Sequence, residues 1–95
     1  MIERHITFTV PPEHADAFER FFAERYRPAM AASPGFVRVD LLREAEQATR
    51  YQMVLRFADL EASVGWRTSP VHQGLQPDLQ ALTTSSEVQA YEVVA

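Results

Sequence analysis

From Ile2 to Val10 apolar and polar residues alternate. Ile2, Ile6, Phe8 and Val10 share one parity, with Arg4 among them, and Glu3, His5, Thr7 and Thr9 take the other. A period of two in a stretch rich in Thr, Val and Phe predicts a strand with one buried face. Pro11-Pro12 ends it, because proline cannot donate to a sheet ladder but suits a first helical turn. From Glu13 to about Ala32 the period lengthens. Ala15, Phe18, Phe22, Tyr26 and Met30 recur at steps of three and four, with Phe21 and Ala29 widening the stripe. This predicts an amphipathic helix of about five turns. Pro28 should kink its last turn or end it early, and Ser33-Pro34-Gly35 is a strong stop.

Phe36 to Glu44 reads as a second strand, and Ala45 to Thr49 as a polar connection. Arg50 to Phe57 is a third strand, with Tyr51, Met53, Leu55 and Phe57 on one face. Asp59 is placed to cap a short helix, Leu60 to Arg67, whose Leu60/Val64 stripe is the expected core face. Ser69-Pro70 restarts a helical stretch that Pro77 should interrupt near Gln76, leaving a last turn or two through Leu79 and Leu82. Thr83 to Ser86 reads as a loop and Glu87 to Val94 as the last strand. The order strand, helix, strand, strand, broken helix, strand is the split βαβ, or ferredoxin-like, arrangement. It predicts an α+β fold: a four-stranded antiparallel sheet with both helices on one face. The bare face, expected to be rich in Val, Leu and Tyr, is then an association surface, and packing two copies there gives a homodimer.

Composition narrows this reading. A chain of 95 residues, 46% hydrophobic, predicts one domain over residues 1–95 with a packed core. A domain of this size hides only roughly 65% of its unfolded surface, and there is no Cys for a disulfide or a zinc cluster, so self-association is the remaining common support. Thirteen acids oppose nine bases, all of them Arg, which argues against a nucleic-acid partner. No apolar run has the length of a membrane span, and the charged start shows no secretion signal, so a cytoplasmic location is expected. The three His residues have no metal-ligand spacing, three Gly residues form no phosphate loop, and no metal site is expected.

Several stretches carry a family likeness: Arg4-His5-Ile6-Thr7-Phe8-Thr9-Val10, the Ser33-Pro34-Gly35-Phe36 bend, Leu55 to Ala62, and Trp66-Arg67-Thr68-Ser69-Pro70-Val71-His72. Over essentially its whole length the chain resembles the antibiotic biosynthesis monooxygenase family of the dimeric α+β barrel superfamily. The resemblance implies the same fold and a homodimer. Jobs in the family vary: some members oxidise polycyclic phenols with molecular oxygen and no cofactor, and one branch degrades haem. That branch uses an Asn on the first strand, a Trp on the second helix and a haem-ligating His ten residues later. These positions fall here on Arg4, Trp66 and Gln76, so one of three matches and haem degradation is disfavoured. The function expected is a cofactor-independent monooxygenase acting on a small phenol- or quinol-like aromatic molecule. The alternative is a non-catalytic small-molecule binder on the same scaffold, since a fold does not determine function.

Five residues are candidates for the site. Trp66, roughly 120° off the Leu60/Val64 stripe, either lines a cavity and offers its indole N–H to a substrate or packs at a helix kink. His72, at a helix start, suits a general base at neutral pH, as cofactor-free oxygenation needs; otherwise it is an exposed surface His. Arg4 either holds an anionic or phenolate substrate or reaches solvent or a carboxylate such as Glu92. Phe22 and Tyr26, one turn apart, could form the pocket wall with the Tyr hydroxyl as anchor, and core packing also explains Phe22. His5 is expected on the dimer side, and His14 only opens the first helix.

Overall fold

The computed structural model describes residues 1–95. Strand β1 spans Ile2–Thr9, β2 Phe36–Arg43, β3 Arg50–Phe57 and β4 Ser85–Glu92. They form one antiparallel sheet in the order β2-β3-β1-β4. The first helical stretch opens with a single 3-10 turn at Pro12–His14, and then runs as α1 (Ala15–Phe21), a π turn (Phe22–Tyr26) and α2 (Arg27–Ala31). Helices α3 (Leu60–Arg67) and α4 (Pro70–Leu82) follow β3. This is the ferredoxin-like α+β arrangement that the strand and helix order implies. No helix is long and apolar enough to cross a membrane.

The core lies between the helices and one sheet face. Phe8 and Val10 from the first strand region, Val39 of β2, and Tyr51, Met53, Leu55 and Phe57 of β3 meet Phe18, Phe22, Tyr26, Met30, Trp66, Leu75 and Leu79. Register puts Arg4 on this face, opposite Leu55 on one side and Ala90 on the other. Tyr51 donates from its hydroxyl to Glu19, which also accepts from Arg43, so α1 is pinned to the β2–β3 end of the sheet.

Three local expectations are corrected. Pro28 does not end the helical stretch, although regular α geometry is lost directly ahead of it. The disturbance falls just before it, where the Arg27 N–H bonds to the Phe22 carbonyl five residues back. Glu24, whose carbonyl loses its donor, is exposed and can turn to water. Pro77 likewise lies inside a continuous α4, because Gln73 and Pro77 both sit on its solvent side. The last strand starts two residues earlier than the sequence pattern predicts, at Ser85, and ends at Glu92. Every residue of β4 is exposed, so burial leaves no pattern along it to mark its ends.

The helix-free face is also more polar than expected. Leu42, Val54 and Tyr91 stand there among Glu3, His5, Arg38, Asp40, Arg50, Arg56 and Glu87. Glu3 accepts from Arg56 at 2.6 and 2.9 Å and contacts His5 at 2.7 Å, and these partners hold its carboxyl below the usual range. The His5 ring lies 4.9 Å from that of Tyr91.

Candidate functional site

Local sequence builds the site at the α3–α4 corner. The Asp59 side chain accepts from the Ala62 N–H at 2.8 Å and starts α3. The Ser69 hydroxyl accepts from the His72 N–H at 3.1 Å and starts α4. Two capped starts, at Asp59 and Ser69, fix how Trp66 and His72 face each other.

Trp66 is not off the buried face of α3; it is that face. Its side chain is 2% exposed and Ser63, one turn earlier, is buried with it, whereas Leu60 is 64% and Val64 37% exposed. Two aliphatic residues do not define a helical stripe when one large aromatic can fill more of the core. Trp66 packs edge-on to Tyr26 at 5.7 Å between ring centroids and to His72 at 5.1 Å, with Tyr26 and His72 at 6.4 Å.

Arg4, Tyr26, Trp66 and His72 line one cavity of about 190 Å³ between α4 and the β1–β4 side of the sheet. Ile6, Phe8, Leu55 and Leu79 give it an apolar floor, and Ser86 and Val88 of β4 form its outer side. Phe22 is not part of it: it stacks on Tyr26 at 6.2 Å, holding that ring from behind, and carries Arg27 over its own face. His5 is on the opposite sheet face, and His14 sits in the 3-10 turn ahead of α1. Neither lines the cavity.

The electrostatics divide the roles. Burial lowers the pKa of His72 from its usual value, and the charges of Arg4 and Arg67 lower it further, against a rise from the Arg67 backbone. His72 is therefore a neutral base near pH 7. Its Nε2 lies 3.1 Å from the Gln76 side-chain amide nitrogen, one turn along α4, and its Nδ1 is buried near the Arg67 backbone without a hydrogen bond of ordinary geometry. Burial pushes Tyr26 up to about 12, with the Trp66 indole and Arg4 offsetting part of that, so its hydroxyl stays protonated. Arg4 is lowered by burial first and by Arg67 second. It has no ion pair: Glu92 lies opposite Ile2 rather than beside it.

Residues 1–78 match the family model of antibiotic biosynthesis monooxygenases. The chain belongs to the antibiotic biosynthesis monooxygenase family. Among solved structures it is similar to SnoaB, a cofactor-independent oxygenase from Streptomyces nogalater, solved as a point mutant. The two share 31% identity over 99% of this chain and 93% of that one, with a TM-score of 0.88. A Deinococcus radiodurans protein named for the same family has a TM-score of 0.90 at 19% identity, covering 100% and 94% of the two chains. One from Bordetella bronchiseptica has 0.87 at 23% identity, covering 99% and 97%. These two likenesses concern the fold. No curated protein sequence matches the chain.

Two lining residues escape a reading of the sequence alone. Arg67 reads as an ordinary cation in the last turn of a helix. Gln76 enters that reading only as a failed iron ligand, although its spacing of four from His72 signals a shared helix face. A larger, open groove of about 610 Å³ lies on the other side of Trp66, among Ala29, Gly35, Ala62 and Gly65. Its only ionisable lining groups are the carboxylates of Asp59, which caps α3, and Glu61, and it brings no His, Arg or Tyr to Trp66.

Proposed function

We propose that this family member is a cofactor-independent monooxygenase that oxidises a small phenol- or quinol-like aromatic molecule with molecular oxygen. The observation that carries this reading is His72, kept neutral by burial, in one cavity with Trp66, Tyr26 and Arg4. The oxygenase activity of a relative at 31% identity supports it.

The chemistry needs a base and a water-poor apolar slot. Neutral phenols hardly reduce oxygen, whereas their anions do. A substrate hydroxyl takes the place of Gln76 at Nε2 and gives His72 its proton. Tyr26, a protonated hydroxyl, donates to the resulting oxyanion, and the Arg4 charge favours it. The ring carbon para to the oxyanion, which carries a hydrogen, passes electrons to oxygen and forms a C–O bond, and the peroxide anion takes back the proton held on His72. Loss of water from the peroxide leaves a new carbonyl: one oxygen atom stays in the product and the other leaves as water. Phe22 acts through Tyr26 as a positioning residue.

The cavity of about 190 Å³ is smaller than the roughly 300–1,000 Å³ of drug-sized sites, which favours a flat molecule of few rings and disfavours a porphyrin. Two copies meet through the helix-free sheet faces, where Leu42, Val54 and Tyr91 supply the apolar contact and the charges around them set register.

The test is turnover of anthrones and naphthols under isotopically labelled dioxygen. The expected product carries one labelled oxygen atom. A panel that binds and yields no labelled product would favour the non-catalytic binder.

A further inference from the structure

The cavity has a charge imbalance that a phenol does not resolve. The chain has 13 acidic residues against nine basic ones, yet none of the acids lines the cavity, while Arg4 and Arg67 both do. Arg25 pairs with Asp78, Arg43 with Glu19, Arg50 with Glu44 and Arg56 with Glu3, and the unpaired Arg20, Arg27 and Arg38 are exposed and line no part of the cavity. Arg4 and Arg67 have neither an ion pair nor a side-chain hydrogen bond, although Arg4 is half-buried in a strand. The C-terminal end of α3 accounts for a cation at position 67. It does not account for an unpaired one facing the same cavity from β1. Burying a charge without a partner is costly, and two like charges beside one apolar slot raise that cost.

From this we infer that the substrate carries a permanent anion, a carboxylate, which Arg4 and Arg67 hold together while its phenolic end meets His72. The inference rests on the cavity being the substrate site. A phenol is neutral in solution at pH 7, having a pKa near about 10 like tyrosine, and becomes an anion only after His72 acts. It therefore leaves both guanidinium groups without a counterion in the bound state. A carboxylate supplies one on arrival, with the paired oxygens that an arginine fork fits. Arg67, exposed at the rim, captures it first, and Arg4 receives it deeper. The ring then lies against Ile6 and Leu55, which line the same cavity as Trp66 and His72. The substrate class is thus a hydroxyaryl carboxylic acid.

The test is calorimetric titration of the full chain with a hydroxynaphthoate whose hydroxyl and carboxylate lie on opposite rings, and with its methyl ester. The acid should bind at least about tenfold more tightly than the ester, as expected for charge-assisted hydrogen bonds. Arg67→Gln should remove most of that preference, with ester affinity changing less than about twofold, and Arg4→Gln should remove the rest. Arg67 is exposed, so R67Q carries the test even if R4Q folds poorly. Equal binding of acid and ester, or a preference that survives R67Q, overturns the anion assignment and leaves the oxygenase reading standing. No binding of either compound at millimolar concentration overturns both.

Discussion

In the proposed reaction His72 is the residue whose environment sets the chemistry. Burial, Arg4 and Arg67 all disfavour the imidazolium, so the fraction in the basic form rises with pH and is complete earlier than for a free histidine. Turnover should climb through a midpoint below 6.5 and then level off, and Arg67→Gln should move that midpoint toward 6.5. A rate that falls as pH rises through this window would assign the essential form to the acid. Trp66 needs a conservative test, because truncating a buried aromatic costs about 3–5 kcal/mol. Trp66→Ala should unfold at markedly lower denaturant, whereas Trp66→Phe should keep the fold and change turnover. Arg4, Tyr26, Trp66 and His72 are legible in the sequence because each is an unusual residue type for its position. Arg67 and Gln76 are not, because an Arg ending a helix and a Gln on α4 are ordinary, and only the fold reveals what they face.

At the scale of elements, boundaries written in caps and turns are legible, and those left to burial are not. Asp59 and Ser69 cap the helices they are expected to cap. Asp59→Ala should cost about 1 kcal/mol in denaturant unfolding, and no change would mean that α3 is held by its packing alone. Gly35 has φ +79°, and a Cβ there would clash with that of Ala62. Gly35→Ala should destabilise the protein by at least about 1 kcal/mol, since both backbone and neighbour resist it. Pro77 misleads, and Pro28 does no more than disturb the turn ahead of it, because the rule about proline concerns a lost hydrogen bond, and on a solvent-facing side water replaces it. β4 misleads for the opposite reason: with every residue exposed it has no buried rhythm to read.

At the scale of the whole molecule, α+β order and sheet topology follow from the change of period along the chain, while the polar character of the helix-free face depends on pairing across strands. That face, if it joins two copies, predicts a sedimentation mass twice the 10.8 kDa of the chain, and a stable monomer at micromolar concentration would remove the sheet-to-sheet contact. The other sheet face carries the central claim, that one cavity with one neutral histidine activates a substrate for direct reaction with oxygen. The measurement that tests it most directly is oxygen uptake by chelator-treated protein on anthrones, naphthols and hydroquinones, beside His72→Ala at matched folding. Uptake should require the folded protein and drop by about a hundredfold or more in the variant, the range for a lost general base. Uptake that His72→Ala leaves unchanged would contradict the claim.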